Sequence, residues 1–512
     1  MPCRSIHPIL KMITGTFCSR ILGLVRDAAF FAAFGSSLQA SAFLIAFAIP
    51  NLFRRLCGEG ALSSAFIPVF AQRVVREKAS TSFFLNVFFS RMNIILGLGV
   101  GVSMLGLLLL QTQLQSDDKW GMVTRLTCLM LPYLWFICLA ALYNGALNVF
   151  NAFSLSAFSP VLLNLCMITG LVVSMFYKTH PINIVALSVV IGGFLQWYLP
   201  RCQLVRLKVW RPQFCWKDDE DLQRIWWLFL PSVFGAAIFQ INTLLGRFMA
   251  YCIDEEAVSL LYLANRFLEL PLGLFAFAII SYLLPKISLY EAQHNINAAK
   301  DTLAHSLNLL LSFLLPASIG LFILAEPILQ LFFCWGKFTV KNVQAAAPLL
   351  QIFAIGLPFF GLTSLFSRVF YAQKDTQTPV RTAFYALLMY IVVALLLMPT
   401  QQAAGLAWAS TLSAFFQCVL LSHLLKKKHP HYHIKLLPLA LHKAPCMLLL
   451  GLFTYILLSL LPEDSNKMEL GFLLIAIISL NALMYIFILF FTDKTAFNLL
   501  KVILGQRTHS VR

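Results

Sequence analysis

Five arginines of this sequence lie inside long apolar stretches, where charged side chains are uncommon. They are Arg20, Arg26, Arg54, Arg55 and Arg266. At about 1.5 Å of helix per residue, Arg20 lies roughly 10 Å and Arg26 roughly 20 Å along the first apolar stretch. A guanidinium group is always charged, and its planar set of N–H donors fits the oxygens of a phosphate. These residue types therefore predict a binding site for a polyanion such as a diphosphate.

Three acids accompany the arginines and offer an alternative, in which the charges simply pair with one another. The candidate pairs are Arg20 with Asp27, Arg55 with Glu59, and Arg266 with Glu269. Their spacings place each pair on one face of a helix. Five arginines against three acids nevertheless leave a positive surplus that pairing alone does not explain. An arginine at the centre of a membrane helix costs about 2.5 to 3.5 kcal/mol, so we expect these side chains to face a hydrated cavity.

Membrane-spanning helices must position these residues, because the composition leaves little material for anything else. Of the 512 residues, 60% are hydrophobic and only 12% are charged, and the mean hydropathy is +0.81. A helix needs on the order of 20 apolar residues to cross a bilayer. The sequence therefore predicts an all-α polytopic membrane protein with about fourteen transmembrane helices. The predicted spans are 13–34, 40–70, 84–110, 122–147, 157–176, 183–200, 226–250, 257–284, 305–325, 345–370, 381–398, 403–424, 444–461 and 470–491.

The charged residues outside the spans predict an orientation. The net charge is +17, and the cations concentrate in alternate loops, as the positive-inside rule expects. The basic loops lie near residues 73–91, 201–217 and 426–443, and the acidic ones near 117–118, 254–256 and 463–464. An even number of spans then places both the N-terminus and the C-terminus in the cytoplasm. The basic residues form no stripe interleaved with exposed aromatics, so nucleic acid is not an expected partner.

A weak internal repeat suggests how the spans are grouped. Residues 54–68 are similar to 266–285, and residues 149–161 are similar to 369–380, although chance similarity between two apolar sequences remains an alternative. Parallel repeats of six spans form two lobes with the substrate site between them. We therefore predict two pseudo-symmetric six-helix lobes, residues 1–215 with spans 1–6 and 216–430 with spans 7–12. Residues 431–512 add two C-terminal spans and a basic tail.

The motifs of the common enzyme classes are missing from the sequence. It contains no G-x-x-x-x-G-K-[ST] loop, no G-x-S-x-G turn and no H-E-x-x-H helix. The twelve cysteines include no C-x-x-C pair, which argues against a zinc or redox site. Charges interrupt the first apolar run, which argues against a cleaved signal peptide. The sequence therefore indicates a protein that is not an enzyme and binds no metal.

Five segments resemble the MurJ (MviN) family of lipid II flippases, which belongs to the MOP transporter superfamily. They are "SRILGLVRDAAFFAAFG" (19–35), "AFAIPNLFRRLCGEGALSSAFIPVFA" (46–71), "ANRFLELPLG" (264–273), "GKFT" (336–339) and "TPVRTA" (378–383). The resemblance covers essentially the whole chain. It implies two six-helix lobes and two further helices that form a groove for a lipid tail. It also implies that Arg20, Arg26, Arg54 and Arg266 engage the diphosphate and headgroup, with Asp27 and Glu59 as accompanying acids.

The chain departs from the family pattern at two positions. Ser41 and Asn265 stand where the family usually has aspartates. Each change removes a negative partner, so the cavity is expected to be more positive than in other members. A gating role of those acids is in doubt in this chain.

The resemblance implies a function in peptidoglycan synthesis. The protein would flip lipid II, an undecaprenyl diphosphate-linked sugar-peptide, to the outer face of the bacterial inner membrane by alternating access. No cofactor is expected, and coupling to the membrane potential, to sodium or to protons stays open. Expected partners are lipid II, membrane lipids, and proteins of cell-wall synthesis or division. The alternatives are an exporter of another lipid-linked oligosaccharide or of drugs, and an integral-membrane enzyme acting on lipid phosphates.

Overall fold

Helices are the regular elements of this protein throughout the part of the chain that the structure describes. The computed structural model describes residues 6–56, 61–77, 80–114, 118–150, 152, 154–177, 179–432, 436–460 and 467–492. Within these ranges no residue lies in a β-strand. The predicted all-α fold is therefore confirmed.

The chain divides into two compact units. The first comprises Met1–Val258 together with Trp335–Phe338, and the second comprises Ser259–Cys334 and Thr339–Arg512. The helices of the first unit are α1 (Ile6–Phe34), α2 (Leu38–Arg54), α3 (Ala61–Arg76), α4 (Thr81–Gln113), α5 (Lys119–Val149), α6 (Ser154–Phe176), α7 (Pro181–Arg206) and α8 (Glu220–Ile253). Those that follow are α9 (Ala257–Pro271), α10 (Phe277–Ala292), α11 (Ile296–Ile323), α12 (Ala325–Phe333), α13 (Val340–Ala372), α14 (Gln377–Lys428), α15 (Leu436–Ser459) and α16 (Lys467–Thr492). The predicted three-part division at residues 215 and 430 stays a prediction.

Within the described residues, helices overlap all fourteen predicted spans. Among the described residues, ten helical stretches are long and apolar enough to cross a membrane, and α2 is a shorter apolar helix. The 52 residues of α14 contain two predicted spans, and the backbone breaks between them at Gln402, with φ 48° and ψ −125°. Its two halves fold back on each other. The last residue of the helix, Lys428, therefore comes close to Asp375, which lies just before the first residue, and Nζ of Lys428 is 2.7 Å from the Asp375 carboxylate.

Rows of aromatic side chains hold the first unit together. Phe30 on α1 lies 5.0 Å from Phe43 on α2, measured between ring centroids, and Phe43 lies 5.8 Å from Phe47. Phe47 stacks in turn on Tyr133 of α5 at 6.1 Å. Aromatic pairs at such distances add about 0.5 to 1.5 kcal/mol beyond the burial of their area. The row therefore fixes the relative positions of the three helices that carry most of the candidate arginines and their neighbours.

Two departures from α-helical geometry follow closely after arginines. Arg55 and Leu56, directly after α2, form a π-helical turn, and a π-helix at Leu272–Ala276 separates α9 from α10. The second begins next to Pro271, which has no backbone N–H to donate to the preceding turn. Single π-helical turns occur frequently at functional sites. Their positions are consistent with functional sites near Arg54 and Arg55 in the first unit and near Arg266 in the second.

Candidate functional site

Arg26 is the most deeply buried of the five candidate arginines. It is 9% exposed, and the adjacent Asp27 is 4% exposed. Its Nε and Nη2 atoms donate to Oδ1 of Asp27 at 2.9 and 2.5 Å, and Nη1 donates to Oδ1 of Asn164 on α6 at 3.0 Å. Asn164 is oriented by its own donation to the carbonyl of Ser19 at 3.1 Å. This network ties α1 to α6, and it pairs Asp27 with the adjacent Arg26.

The other three arginines of the first unit are only half-buried. Arg20 lies on α1, Arg54 in the last turn of α2, and Arg55 in the π-helical turn that follows. Nε of Arg54 donates to the amide oxygen of Asn51 at 3.3 Å, which is a neutral partner. Glu59, the acid predicted to accompany Arg55, lies outside the described residues. The half-buried positions leave these guanidinium groups reachable by a ligand.

Tyr133 lies next to two of the candidate arginines and was not identified from the sequence. It is fully buried on α5, within electrostatic range of both Arg54 and Arg26. Its hydroxyl has no hydrogen-bond partner among the described residues. Gly193 on α7 leaves the space that the ring fills, since a Cβ atom there would collide with the ring. No sequence signal marks this tyrosine, because it lies inside an ordinary apolar stretch.

Arg266 and Glu269 form the part of the candidate site that belongs to the second unit. Nη1 of Arg266 donates to Oε2 of Glu269 at 2.8 Å, within one turn of α9. The side chains are 25% and 48% exposed, so the described residues of the protein do not enclose the pair. An exposed pair of this kind is worth only about 0.3 to 0.5 kcal/mol. A phosphate could therefore replace the carboxylate at Arg266 at small cost.

The candidate residues of the first unit include four arginines and one described acid, whereas in the second unit Arg266 is matched by Glu269. In the first unit Arg26 and Arg54 share Tyr133 as a neighbour, and Asp27 forms an ion pair with Arg26. Of the two positions that depart from the family pattern, Ser41 is fully buried in α2 and Asn265 is exposed on α9. Among the described residues, no three His, Cys, Asp or Glu side chains are grouped so as to hold a metal ion. The chemistry available is the binding of a polyanion by guanidinium groups.

Comparison with known sequences finds one family over most of the chain. The family model described as "Lipid II flippase MurJ" matches residues 30–478. A protein of Bdellovibrio bacteriovorus named "Probable lipid II flippase MurJ" is 33% identical over 449 residues, which are 83% of each chain. A protein of Burkholderia cenocepacia named "Lipid II flippase MurJ" is 29% identical over 424 residues, 81% of this chain and 82% of that one.

Comparison with solved structures agrees with the sequence comparisons. The structure of "Lipid II flippase MurJ, inward closed conformation" matches with a TM-score of 0.78 at 26% identity, covering 96% of this chain and 99% of that one. An inward-facing multidrug resistance MATE family transporter of the MOP superfamily matches with a TM-score of 0.67 at 13% identity, over 80% of this chain and 94% of that one. The second likeness shows a shared fold only.

Proposed function

The chain belongs to the MurJ family of lipid II flippases, and from this membership we propose that it moves lipid II from the cytoplasmic to the outer face of the membrane by alternating access. It is a multi-pass protein of the bacterial inner membrane, and a transporter rather than an enzyme. Its substrate carries a diphosphate, a sugar-peptide headgroup and a long polyprenyl tail. The headgroup is the part that cannot cross a bilayer unaided, because charged groups are expensive in hydrocarbon.

The observation that carries the proposed site is the set of guanidinium groups that a ligand can reach. Arg20, Arg54 and Arg55 are half-buried, and Arg266 is paired with Glu269, whose side chain is 48% exposed. These four arginines are proposed to contact the diphosphate and the headgroup, since bidentate Arg–phosphate contacts are among the strongest polar contacts. Arg26 would have to exchange Asp27 for the substrate before it could bind.

The orientation, lobes and partners extend the same proposal. Both termini lie in the cytoplasm, so that the lobes 1–215 and 216–430 receive the headgroup from that side, while residues 431–512 accommodate the tail. Coupling to the membrane potential would contribute about 2.3 kcal/mol per charge moved per 100 mV, and sodium or protons are the other candidate sources of energy. Proteins of cell-wall synthesis or division are the proposed protein partners.

Alanine substitutions in a strain depleted of its own lipid II flippase test the site. We expect Arg20→Ala, Arg54→Ala and Arg266→Ala each to abolish growth while folded protein stays in the membrane. The measurements are growth on depletion, the amount of lipid II exposed on the outer face, and protein abundance. Arg76→Ala, which removes an exposed arginine at the end of α3, is the matched control and should support growth.

Two results would argue against the proposed site. Full activity of all three alanine variants would show that these arginines do not bind the substrate. Activity of Arg266→Lys equal to that of the unaltered protein would show that only charge matters, since lysine cannot form the bidentate contact. Stronger binding of cationic dyes than of lipid diphosphates to the purified protein would favour the alternative of a drug exporter.

A further inference from the structure

Tyr133 of α5 carries a hydroxyl group that makes no hydrogen bond within the described part of the chain. The residue is 0% exposed. Buried polar groups in folded proteins are nearly always paired, because an unpaired group loses its hydrogen bonds to water without replacement. A buried hydroxyl that stays unpaired therefore marks a place where the acceptor atom of a ligand would be stabilising.

Packing from two neighbouring helices fixes the ring of Tyr133. Phe47 of α2 stacks on it, with 6.1 Å between the ring centroids. The backbone of α7 approaches the ring so closely at Gly193 that a Cβ atom there would collide with it. A ring held in this way cannot turn to reach another acceptor unless the helices shift. The position of the hydroxyl is therefore set by the packing of α2, α5 and α7 and not by a hydrogen bond of its own.

Two of the candidate arginines lie near this hydroxyl. Arg54 and Arg26 are the described cations whose electrostatic effect reaches it. The aromatic row leads to the same place: Arg26 lies one helical turn before Phe30 on α1, and Arg54 lies two turns after Phe47 on α2. Such spacings put each arginine on the same helix face as its aromatic neighbour. Three helices of the first unit therefore bring two guanidinium groups and one hydroxyl into the same region.

The chemistry of these three groups identifies the ligand atom that would suit them. A guanidinium group has N–H donors and no acceptor, so neither arginine can accept the proton of the Tyr133 hydroxyl. The carboxylate of Asp27 already accepts two hydrogen bonds from Arg26 at a single oxygen. Phosphate oxygens accept hydrogen bonds from several donors at once, and charged acceptors make the stronger bonds. A phosphate is therefore the kind of group that fits donors converging from three helices.

We propose that the hydroxyl of Tyr133 donates a hydrogen bond to a phosphate oxygen of the lipid diphosphate that Arg54 binds. The inference rests on the proposed function and adds one substrate-binding residue to it. The conformation described here covers the hydroxyl, as it covers Arg26, which is 9% exposed. Both groups meet the substrate in the conformation that admits the headgroup. Bilayer phospholipids also carry a phosphate, so the experiment distinguishes the two sources.

Tyr133→Phe tests the inference, because it keeps the ring and removes only the hydroxyl. The full-length protein in detergent is titrated with undecaprenyl diphosphate or with dioleoyl phosphatidylglycerol, and its thermal midpoint is measured without ligand. We expect Tyr133→Phe to bind undecaprenyl diphosphate at least about tenfold more weakly, as loss of one hydrogen bond to a charged group predicts. Its affinity for phosphatidylglycerol should not change. Its midpoint should be equal or higher, because the hydroxyl that is removed has no partner in the fold.

Tyr251→Phe is the matched control, with the opposite expectation. Tyr251 is also 0% exposed, but its hydroxyl donates to the backbone carbonyl of Lys119, which precedes Tyr133 on α5 by roughly 20 Å. This variant should lower the thermal midpoint and keep the affinity for undecaprenyl diphosphate.

Three results would overturn the inference. They are an unchanged affinity of Tyr133→Phe for undecaprenyl diphosphate, a loss of affinity accompanied by a lower midpoint, which would show a structural role, and an equal loss of affinity for phosphatidylglycerol. Arg54→Ala separates this failure from that of the proposed function. If Arg54→Ala binds undecaprenyl diphosphate weakly while Tyr133→Phe binds it normally, only the inference fails. If both variants bind it normally, the proposed arginine site fails as well.

Discussion

Arg26 and Arg266 each pair with an acid nearby in the sequence, but the two pairs differ in how deeply they are buried. Asp27 is 4% exposed as a residue, whereas the side chain of Glu269 is 48% exposed. Removing one partner of a buried pair leaves an uncompensated charge and costs about 3 to 5 kcal/mol. The same loss at an exposed pair costs about 0.3 to 0.5 kcal/mol. Loss of Asp27 should therefore destabilise the fold much more than loss of Glu269.

Substitution of the two acids should separate these roles. We expect Asp27→Ala to destabilise the protein by about 3 to 5 kcal/mol, because Arg26 would stay buried without its carboxylate. Glu269→Ala should cost at most about 0.5 kcal/mol. Thermal unfolding of the purified variants in detergent, followed by tryptophan fluorescence, measures both. Equal midpoints for Asp27→Ala and the unaltered protein would contradict a stabilising pair.

The candidate arginines can be picked out from the sequence, whereas their hydrogen-bond partners cannot. An arginine within an apolar segment can be recognised from the sequence, because the free energy needed to place its charge in hydrocarbon can be judged without knowledge of the fold. Asn164 is 138 positions from Arg26, and nothing in its own neighbourhood indicates that it accepts a hydrogen bond there. Tyr133 has no polar neighbour in sequence that marks it. Such partners depend on which helices pack together, and hydropathy alone does not determine that packing.

At the scale of the elements, an extended segment at residues 210–217 is held against α4. The holding side chains, Ser82, Asn86 and Ser90, recur every fourth residue and so lie along one face of the helix. The backbone N–H groups of alternate residues Arg211, Gln213 and Cys215 donate to them at 3.0, 3.0 and 3.2 Å. The spacing of four on a helix matches the alternation of two in an extended chain, since each spans about 6 Å. The serines and asparagine were not identified from the sequence, because isolated polar residues in a span do not reveal their partners.

Asn86 should contribute most to this attachment. It is 6% exposed, and its Oδ1 atom accepts from Nε1 of Trp210 at 2.7 Å as well as from Gln213. Asn86→Leu would leave both donors without an acceptor, at roughly 1 to 3 kcal/mol each. We expect faster tryptic cleavage at Lys208 and Arg211 and a lower thermal midpoint. Ser82→Ala, which removes one exposed hydrogen bond, is the control, and equal cleavage of the two variants would argue against the attachment.

The turn between α13 and α14 is a second element whose stability can be tested, and its carboxylate makes that stability dependent on pH. Asp375 accepts from the backbone N–H of Thr378 at 3.0 Å, from its hydroxyl at 2.6 Å and from Nζ of Lys428 at 2.7 Å. Burial alone would raise the pKa of Asp375, but the hydrogen bonds from Lys428 and Thr378 outweigh it and hold the pKa at about 2, against an ordinary value of 3.8. A depressed pKa means that the ionised form stabilises the folded state.

Stability from Asp375 should therefore be complete above about pH 4 and lost as the pH falls from about 4 to about 2. We expect Asp375→Asn to lower the thermal midpoint at pH 6 to 8, with a difference from the unaltered protein that shrinks below pH 4. Lys428→Met should move this loss to higher pH, because one stabilising contact of the carboxylate is removed. Midpoints measured in detergent between pH 2.5 and 8 provide the test. A difference that stayed constant over the whole range would exclude ionisation of Asp375 as the cause.

At the scale of the whole molecule, the distribution of charge should determine which way the protein faces. The basic residues concentrate at one end of alternate helices, and anionic lipids with the membrane potential retain such loops in the cytoplasm. The prediction places the loop after α8, with Asp254, Glu255 and Glu256, outside, and the segment before α8 inside. Capture of a precursor made in the cytoplasm depends on this orientation. Hydropathy predicts an all-α membrane protein without knowledge of packing, whereas the direction in which each helix crosses depends on the membrane itself.

Labelling of two native cysteines near opposite ends of α8 can show the orientation of the protein in the membrane. Cys252 is exposed in the last turn of α8, and Cys215 is half-buried in the extended segment before it. In variants that retain only one of these cysteines, a membrane-impermeant maleimide should label Cys252 in intact spheroplasts. Cys215 should react only after the membrane is opened, because the reagent cannot cross hydrocarbon. The opposite labelling pattern would show that the protein has the reverse orientation in the membrane. The half-buried arginines would then have to take up their substrate from the outer leaflet.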